Sequence, residues 1–162
     1  KGAWDRIKAE EKAEKAARRG KGADFVPQEQ GVLAGVPTTL PGLTRAVKLQ
    51  DKAGKVGFDW NDPRAVIAKM REELDEVEQA LDHGGAAERT EEIGDLLFVT
   101  ANLARHLDVD PERALRGANA KFQSRFAHIE RRLAALGRSP AQATLEEMDA
   151  LWNEARAEDK RA

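Results

Sequence analysis

Between residues 62 and 83 the large apolar side chains fall at Val66, Met70, Leu74, Val77 and Leu81, in steps of three and four. That spacing lines one side of an α-helix. Asp62-Pro63 supplies its start, a capping acceptor followed by proline at the first helical position. His83-Gly84-Gly85 ends it. The next pattern, from about Ala87 to Leu107, carries Ile93, Leu96, Leu97, Thr100, Ala104 and Leu107, and Phe98 and Val99 carry the apolar surface further round the cylinder. A helix apolar on most sides is expected to be buried. Asp110-Pro111-Glu112 repeats the cap-and-proline signal and opens a third helix to about Leu136, closed by Gly137. Its core side is Ala118, Phe122, Phe126, Ile129, Leu133 and Leu136. Two shorter helices flank these. Leu40-Pro41-Gly42-Leu43 opens one that runs to about Val56, and the capping box Thr144-Leu145-Glu146-Glu147 opens one bearing Met148, Leu151 and Trp152. Trp60, ending the connector Gly57-Phe58-Asp59-Trp60, reads as a core anchor.

Ahead of this bundle the chain changes character. Residues 4–19 are rich in Ala, Glu and Lys with few large apolar groups, so a solvated helix or a linker with helical tendency is expected there. Residues 20–37 hold Pro27, Gly31, Gly35 and Pro37 and read as an irregular connector. The division expected is therefore a charged helix and connector over 1–37 and a helical domain over 38–159. Composition agrees with an all-α class: aromatics are 5%, tyrosine is absent and there are 6 prolines in 162 residues. With 27 basic against 29 acidic side chains the net charge is −2, which leaves no basic excess for binding nucleic acid along its backbone. The lack of cysteine excludes disulfides, zinc thiolates and thiol catalysis. No membrane span or signal peptide is visible, so a cytoplasmic protein is expected.

The chemistry is carried by acids. Glu73 and Glu76 are one turn apart on the first long helix, and Glu92 and Asp95 repeat the spacing on the second. If the two helices pair as an antiparallel hairpin, four carboxylates meet. Such a cluster is self-repelling and calls for protons or divalent cations. Glu73 is about 60° from the centre of its apolar stripe, at the border of core and water. Asp95 stands inside the apolar run Gly94-Asp95-Leu96-Leu97-Phe98-Val99, where a buried carboxylate needs a cation. Gly94 leaves room for close approach by a backbone or ligand. None of His83, His106 and His128 makes a Glu-x-x-His motif, so a di-iron bundle is not indicated. An all-oxygen set selects magnesium first and manganese second. Lys121 and Arg125, four apart on the third long helix, could meet phosphate oxygens; taken alone, such a pair is ordinary surface.

These acids stand among recognisable words: Leu40-Pro41-Gly42-Leu43, Val56-Gly57-Phe58-Asp59-Trp60, Gly94-Asp95-Leu96-Leu97-Phe98, Asn102-Leu103-Ala104-Arg105-His106 and Asn119-Ala120-Lys121-Phe122. With Glu73-x-x-Glu76 and Glu92-x-x-Asp95, the stretch from about Leu40 to Arg156 resembles the MazG-type all-α nucleoside triphosphate pyrophosphohydrolases. The resemblance implies a helical bundle completed by homodimerisation and a magnesium-dependent cleavage of an NTP to an NMP and pyrophosphate. It implies Glu73, Glu76, Glu92 and Asp95 as metal ligands, Lys121 and Arg125 on the triphosphate, and Asn119 and Trp152 near the nucleotide. Proteins of this type often carry two modules. One acidic set and no Gly-Cys-Pro-Trp opening make this chain look like the C-terminal one, with 1–37 as the inter-module segment. The competing expectation is a non-catalytic helical module whose acids bind a cation or dock a basic partner.

Overall fold

The computed structural model describes residues 31–161, and Val36–Ala162 form one compact unit. The charged helix expected over 4–19 and most of the connector lie outside the described residues. Among the described residues there are five α-helices and no strand: α1 (Gly42–Gly54), α2 (Pro63–His83), α3 (Ala86–His106), α4 (Pro111–Ala134) and α5 (Leu145–Asp159), with a 3-10 turn at Pro140–Gln142.

The starts follow the sequence signals closely. Asp62 accepts from the Arg64 amide at 2.8 Å ahead of α2, and Asp110 accepts from the Glu112 amide at 2.9 Å ahead of α4. Thr144 and Glu147 form the reciprocal box at α5. Because only Gly84 and Gly85 separate α2 from α3 and the two helices pack along each other, they run antiparallel as a hairpin. Gly84 has no room for a side chain: a Cβ there would lie 2.7 Å from the Ala80 carbonyl oxygen. Helix α1 lies against α3, and α5 lies against α4. Gly137, at φ 68°, turns the chain out of α4 in the left-handed region that glycine enters without a steric penalty.

The core is narrow and built from small residues. Val66, Val99, Ala101, Ala80 and Ala46 close the contacts of the first three helices, and Ile129, Leu133 and Ala155 those of α4 with α5. Alanine at such contacts lets helix axes approach, but it buries little area per residue.

Several expected core positions are instead open. Leu74 and Leu81 on α2, and Ile93, Leu97 and Phe98 on α3, are exposed. So α3 is not wrapped on all sides as its composition predicts. Trp60 is 43% exposed and is no core anchor, and Phe122 and Leu136 are also uncovered. The cause is common to all of them. Amphipathic spacing reports the face a helix is able to bury, while the cover must come from another element, and no described element lies over these faces.

Candidate metal centre on the helix hairpin

Helix α2 carries Glu73 inward, at 7% exposure, because Val66 and Ala80 lie on the same packed side, each about two turns away along the axis. The residue expected at the border of core and water is thus buried. Helix α3 brings Glu92 and Asp95 to meet it. One carboxylate oxygen from each of Glu73, Glu92 and Asp95 lies within 4.8 Å of the others. Glu76 is exposed and outside that close group.

Asp95 is exposed rather than buried, which corrects the expectation drawn from its apolar neighbours. Leu96 and Val99 turn inward on α3, while Asp95 points along the open side of the hairpin. It is Glu73, the buried member, together with the convergence of charge, that calls for a cation. Glu92 records that convergence. Its carboxyl is pushed above the ordinary range, first by loss of hydration and then by the charges of Glu76, Asp95, Glu91 and Glu73.

One cation is already built into the chain. Lys69, on the turn before Glu73, places Nζ 2.7 Å from Glu73 Oε1 and 3.2 Å from Glu72 Oε2. Those two acceptors, Glu73 first, hold its ammonium above the usual lysine range. Lys69 was not singled out from the sequence, although its i, i+4 relation to Glu73 was a usable signal. A single ammonium offsets one carboxylate of the set. The rest remain mutually repulsive, and their donors are all oxygen, which fits a hard divalent cation. Beside them the place a Cβ would take on Gly94 is open, with nothing beyond its chain neighbours and its own helix backbone within 4 Å.

Of the phosphate and nucleotide candidates, Arg125 and Trp152 meet elsewhere, where α5 lies on α4. Arg125 stacks over Trp152 with its guanidinium carbon 5.4 Å from the ring centroid, and Trp152 meets Phe122 at 5.3 Å. Arg125 Nε also donates to Asp159 at 2.8 Å, so this arginine is already engaged. Asn119 and Lys121 are exposed on the outer side of α4. Among the described residues, no hydrogen bond or ion pair joins Asn119, Lys121, Arg125 or Trp152 to the four acids.

A third network gives a structural role to two of the sequence words. Arg105 donates from Nη2 to Asp59 at 2.6 Å and to the buried Asn102 at 2.8 Å, and His106 Nε2 lies 2.9 Å from the same Asp59 oxygen. The Arg105 hydrogen bond, partly opposed by burial and aided by His106, holds the Asp59 carboxyl below its usual range. This latch ties the connector after α1 to the C-terminal end of α3. It is about ten residues along the helix from Asp95, or roughly 15 Å at 1.5 Å per residue, so it braces the hairpin without entering the acid cluster.

Residues 61–129 match the MazG nucleotide pyrophosphohydrolase domain. The MazG match holds all of α2 and α3 and most of α4, hence the four acids, Asn119, Lys121 and Arg125, and it stops short of Trp152. The chain is 39% identical over 161 residues to the nucleoside triphosphate pyrophosphohydrolase of Escherichia coli (strain K12), covering 96% of this chain and 56% of that protein. It is 38% identical over 157 residues to the Thermotoga maritima protein named nucleoside triphosphate pyrophosphohydrolase/pyrophosphatase MazG, covering 97% of this chain and 55% of that one. A Bacillus subtilis protein, named uncharacterized protein YabN, is 39% identical over 147 residues, with 29% of its length covered. The chain thus spans little more than half the length of the first two relatives.

Proposed function

We propose that this chain is a magnesium-dependent nucleoside triphosphate pyrophosphohydrolase, converting an NTP and water to an NMP and pyrophosphate. The observation that carries the reading is the meeting of Glu73, Glu92 and Asp95 within 4.8 Å across the α2–α3 hairpin. The MazG match over the same residues and the names of the relatives support it. Glu73, Glu76, Glu92 and Asp95 are the candidate metal ligands, with magnesium favoured and manganese an acceptable substitute. When bound, a divalent cation would offset the charge of the triphosphate and acidify a bound water.

The chain's own groups have separable tasks in this reading. Glu73, held inward by packing and by Lys69, is the fixed point of the donor set. Glu92 and Asp95 close the set from α3. Glu76, outside the close group yet near enough for its charge to reach Glu92, is the best placed acid to orient the attacking water and take its proton. Lys69 adds a positive charge beside Glu73. Lys121 and Arg125 are candidates for the triphosphate, and Asn119 and Trp152 for the nucleoside. Since these four stand apart from the acids within one chain, the reading further proposes a homodimer in which the two groups face each other across protomers. The uncovered apolar faces of α2 and α3 support that. Residues 38–159 would form the catalytic domain, the C-terminal module of a two-module protein working in the cytoplasm. The relatives' greater length and the lack, among the described residues, of any helix long and apolar enough to cross a membrane accord with this.

The deciding experiment is pyrophosphate release from a panel of NTPs with Mg²⁺, using the wild type, Glu73→Gln and Asp95→Asn. Turnover is expected in the wild type and a loss of at least a hundredfold in both variants. Magnesium binding without any turnover would favour the non-catalytic cation-binding module. Turnover unchanged in either variant would remove the acid cluster from the reaction.

A further inference from the structure

Away from the hairpin, a second set of metal-ligating side chains meets where α5 lies on α4. His128 of α4 faces Glu154 and Glu158, which are one turn apart on α5, and one ligand atom of each lies within 4.8 Å of the others. Nε2 of His128 is 3.3 Å from Glu154 Oε1, and Nδ1 is 3.7 Å from Glu158 Oε2. The histidine side chain is 12% exposed. Its Nε2 is shut off from solvent and, close as it is to Glu154, forms no hydrogen bond. Glu154 thus meets that nitrogen as an ion-pair neighbour without a well-directed hydrogen bond, which leaves the nitrogen able to take a better-placed partner.

We propose that His128, Glu154 and Glu158 form a second divalent metal site, for a borderline ion such as Zn²⁺, that pins α5 to α4. One imidazole with two carboxylates is a different donor chemistry from the all-oxygen hairpin. It suits zinc, cobalt or nickel, whereas magnesium disfavours nitrogen ligands. Zinc takes histidine nitrogen and carboxylate oxygen at about 2.0–2.2 Å, which sets tetrahedral ligands roughly 3.3–3.6 Å apart. A metal on Nε2 would take Glu154 close to where it lies and draw Glu158 across from the Nδ1 side, and Glu158, 60% exposed, is free to turn. Three protein ligands leave the fourth position to water. Arg132 is the resident competitor, with Nε 3.2 Å from Glu154 Oε1. Its side chain is 56% exposed, so that pairing is weakly held and readily exchanged.

The site has a consequence for the fold. Ala155 is the sole buried residue of α5, and it contributes little apolar area. A metal between Glu154, Glu158 and His128 would supply the cross-link that packing lacks, one turn from Trp152 and its stack with Arg125.

The test is calorimetric titration of the full chain with Zn²⁺ in millimolar Mg²⁺, followed by Co²⁺ as a spectroscopic probe. The wild type should take up one Zn²⁺ per chain and show the visible absorption of four-coordinate cobalt with a nitrogen ligand. His128→Ala and Glu158→Gln should each bind at least tenfold more weakly and lose the cobalt bands. Glu73→Gln should keep both, which separates this site from the hairpin acids whatever their role. Glu158→Gln alters an exposed side chain and so keeps the test sound if His128→Ala folds poorly by circular dichroism. No zinc uptake by the wild type, or equal uptake and equal cobalt spectra in Glu158→Gln and the wild type, would overturn the proposal.

Discussion

Replacing Glu92 by glutamine should have opposite effects on stability with and without magnesium. In metal-free buffer at neutral pH, Glu92 is a carboxylate pressed by partial burial and by Glu76, Asp95, Glu91 and Glu73. Its pKa in the folded chain lies above the ordinary value of 4.5, so the folded state binds that proton more tightly than the unfolded state does. Stability therefore falls as pH rises through the interval between the two values, and the penalty is fully present above it. Glu92→Gln removes the charge and should melt higher than the wild type in EDTA at pH 7. Its advantage should shrink as pH falls through that interval and vanish below about 4.5, where the carboxyl becomes protonated in both states. Magnesium reverses the order. A cation at one hundred times its dissociation constant stabilises the folded state by about 2.7 kcal/mol, and one bound a hundredfold more weakly gives only about 0.4 kcal/mol. For a domain of this size the difference corresponds to roughly 5–15 °C in melting temperature. Loss of one of three close ligands should produce a weakening of that order, so the two melting curves cross on adding metal. Differential scanning calorimetry in EDTA and in 10 mM Mg²⁺ reads this directly. A variant that melts below the wild type in EDTA, or gains as much from magnesium, would show that Glu92 is not a repelled ligand.

Two further outcomes follow from other parts of the chain. Arg138 hydrogen bonds to Glu147 at 2.8 and 3.0 Å, and with the Thr144 amide it holds that carboxyl down at about 2. A lowered acid stabilises the fold above its ordinary pKa and loses that contribution as pH falls. Glu147→Gln should thus melt lower than the wild type at pH 7, with the gap narrowing between about pH 4.5 and about 2; a gap independent of pH over that range counts against it. Leu97, half exposed on α3 beside Ile93, is expected in the dimer face, so Leu97→Glu should halve the mass seen by light scattering while the helical circular dichroism is retained. A wild type that is already monomeric would remove the proposed dimer.

What the sequence determined by itself was local. Helix starts at Asp62, Asp110 and Thr144, the glycine ends at Gly84 and Gly137, and the pairing of Glu73 with Glu76 and of Glu92 with Asp95 all follow from 100° per residue and from capping chemistry, which act within one turn. The two-glycine link made the hairpin legible as well, and with it the meeting of the acids. Tertiary structure decided how deep each acid sits. Glu73 went further inward than the border its stripe suggested, and Asp95 went outward against the reading of its apolar neighbours, because burial depends on which element covers a face and not on how apolar the face is. The same reason left Leu74, Ile93, Leu97 and Trp60 open. Lys69 on Glu73 was within reach of the i, i+4 pattern but not fixed by it, and the Asp59–Arg105–His106 latch and His128 facing Glu154 and Glu158 were beyond it. The first needed only a rotamer choice four residues away. The other two join residues tens of positions apart, and only the packing of helices on one another brings such residues together.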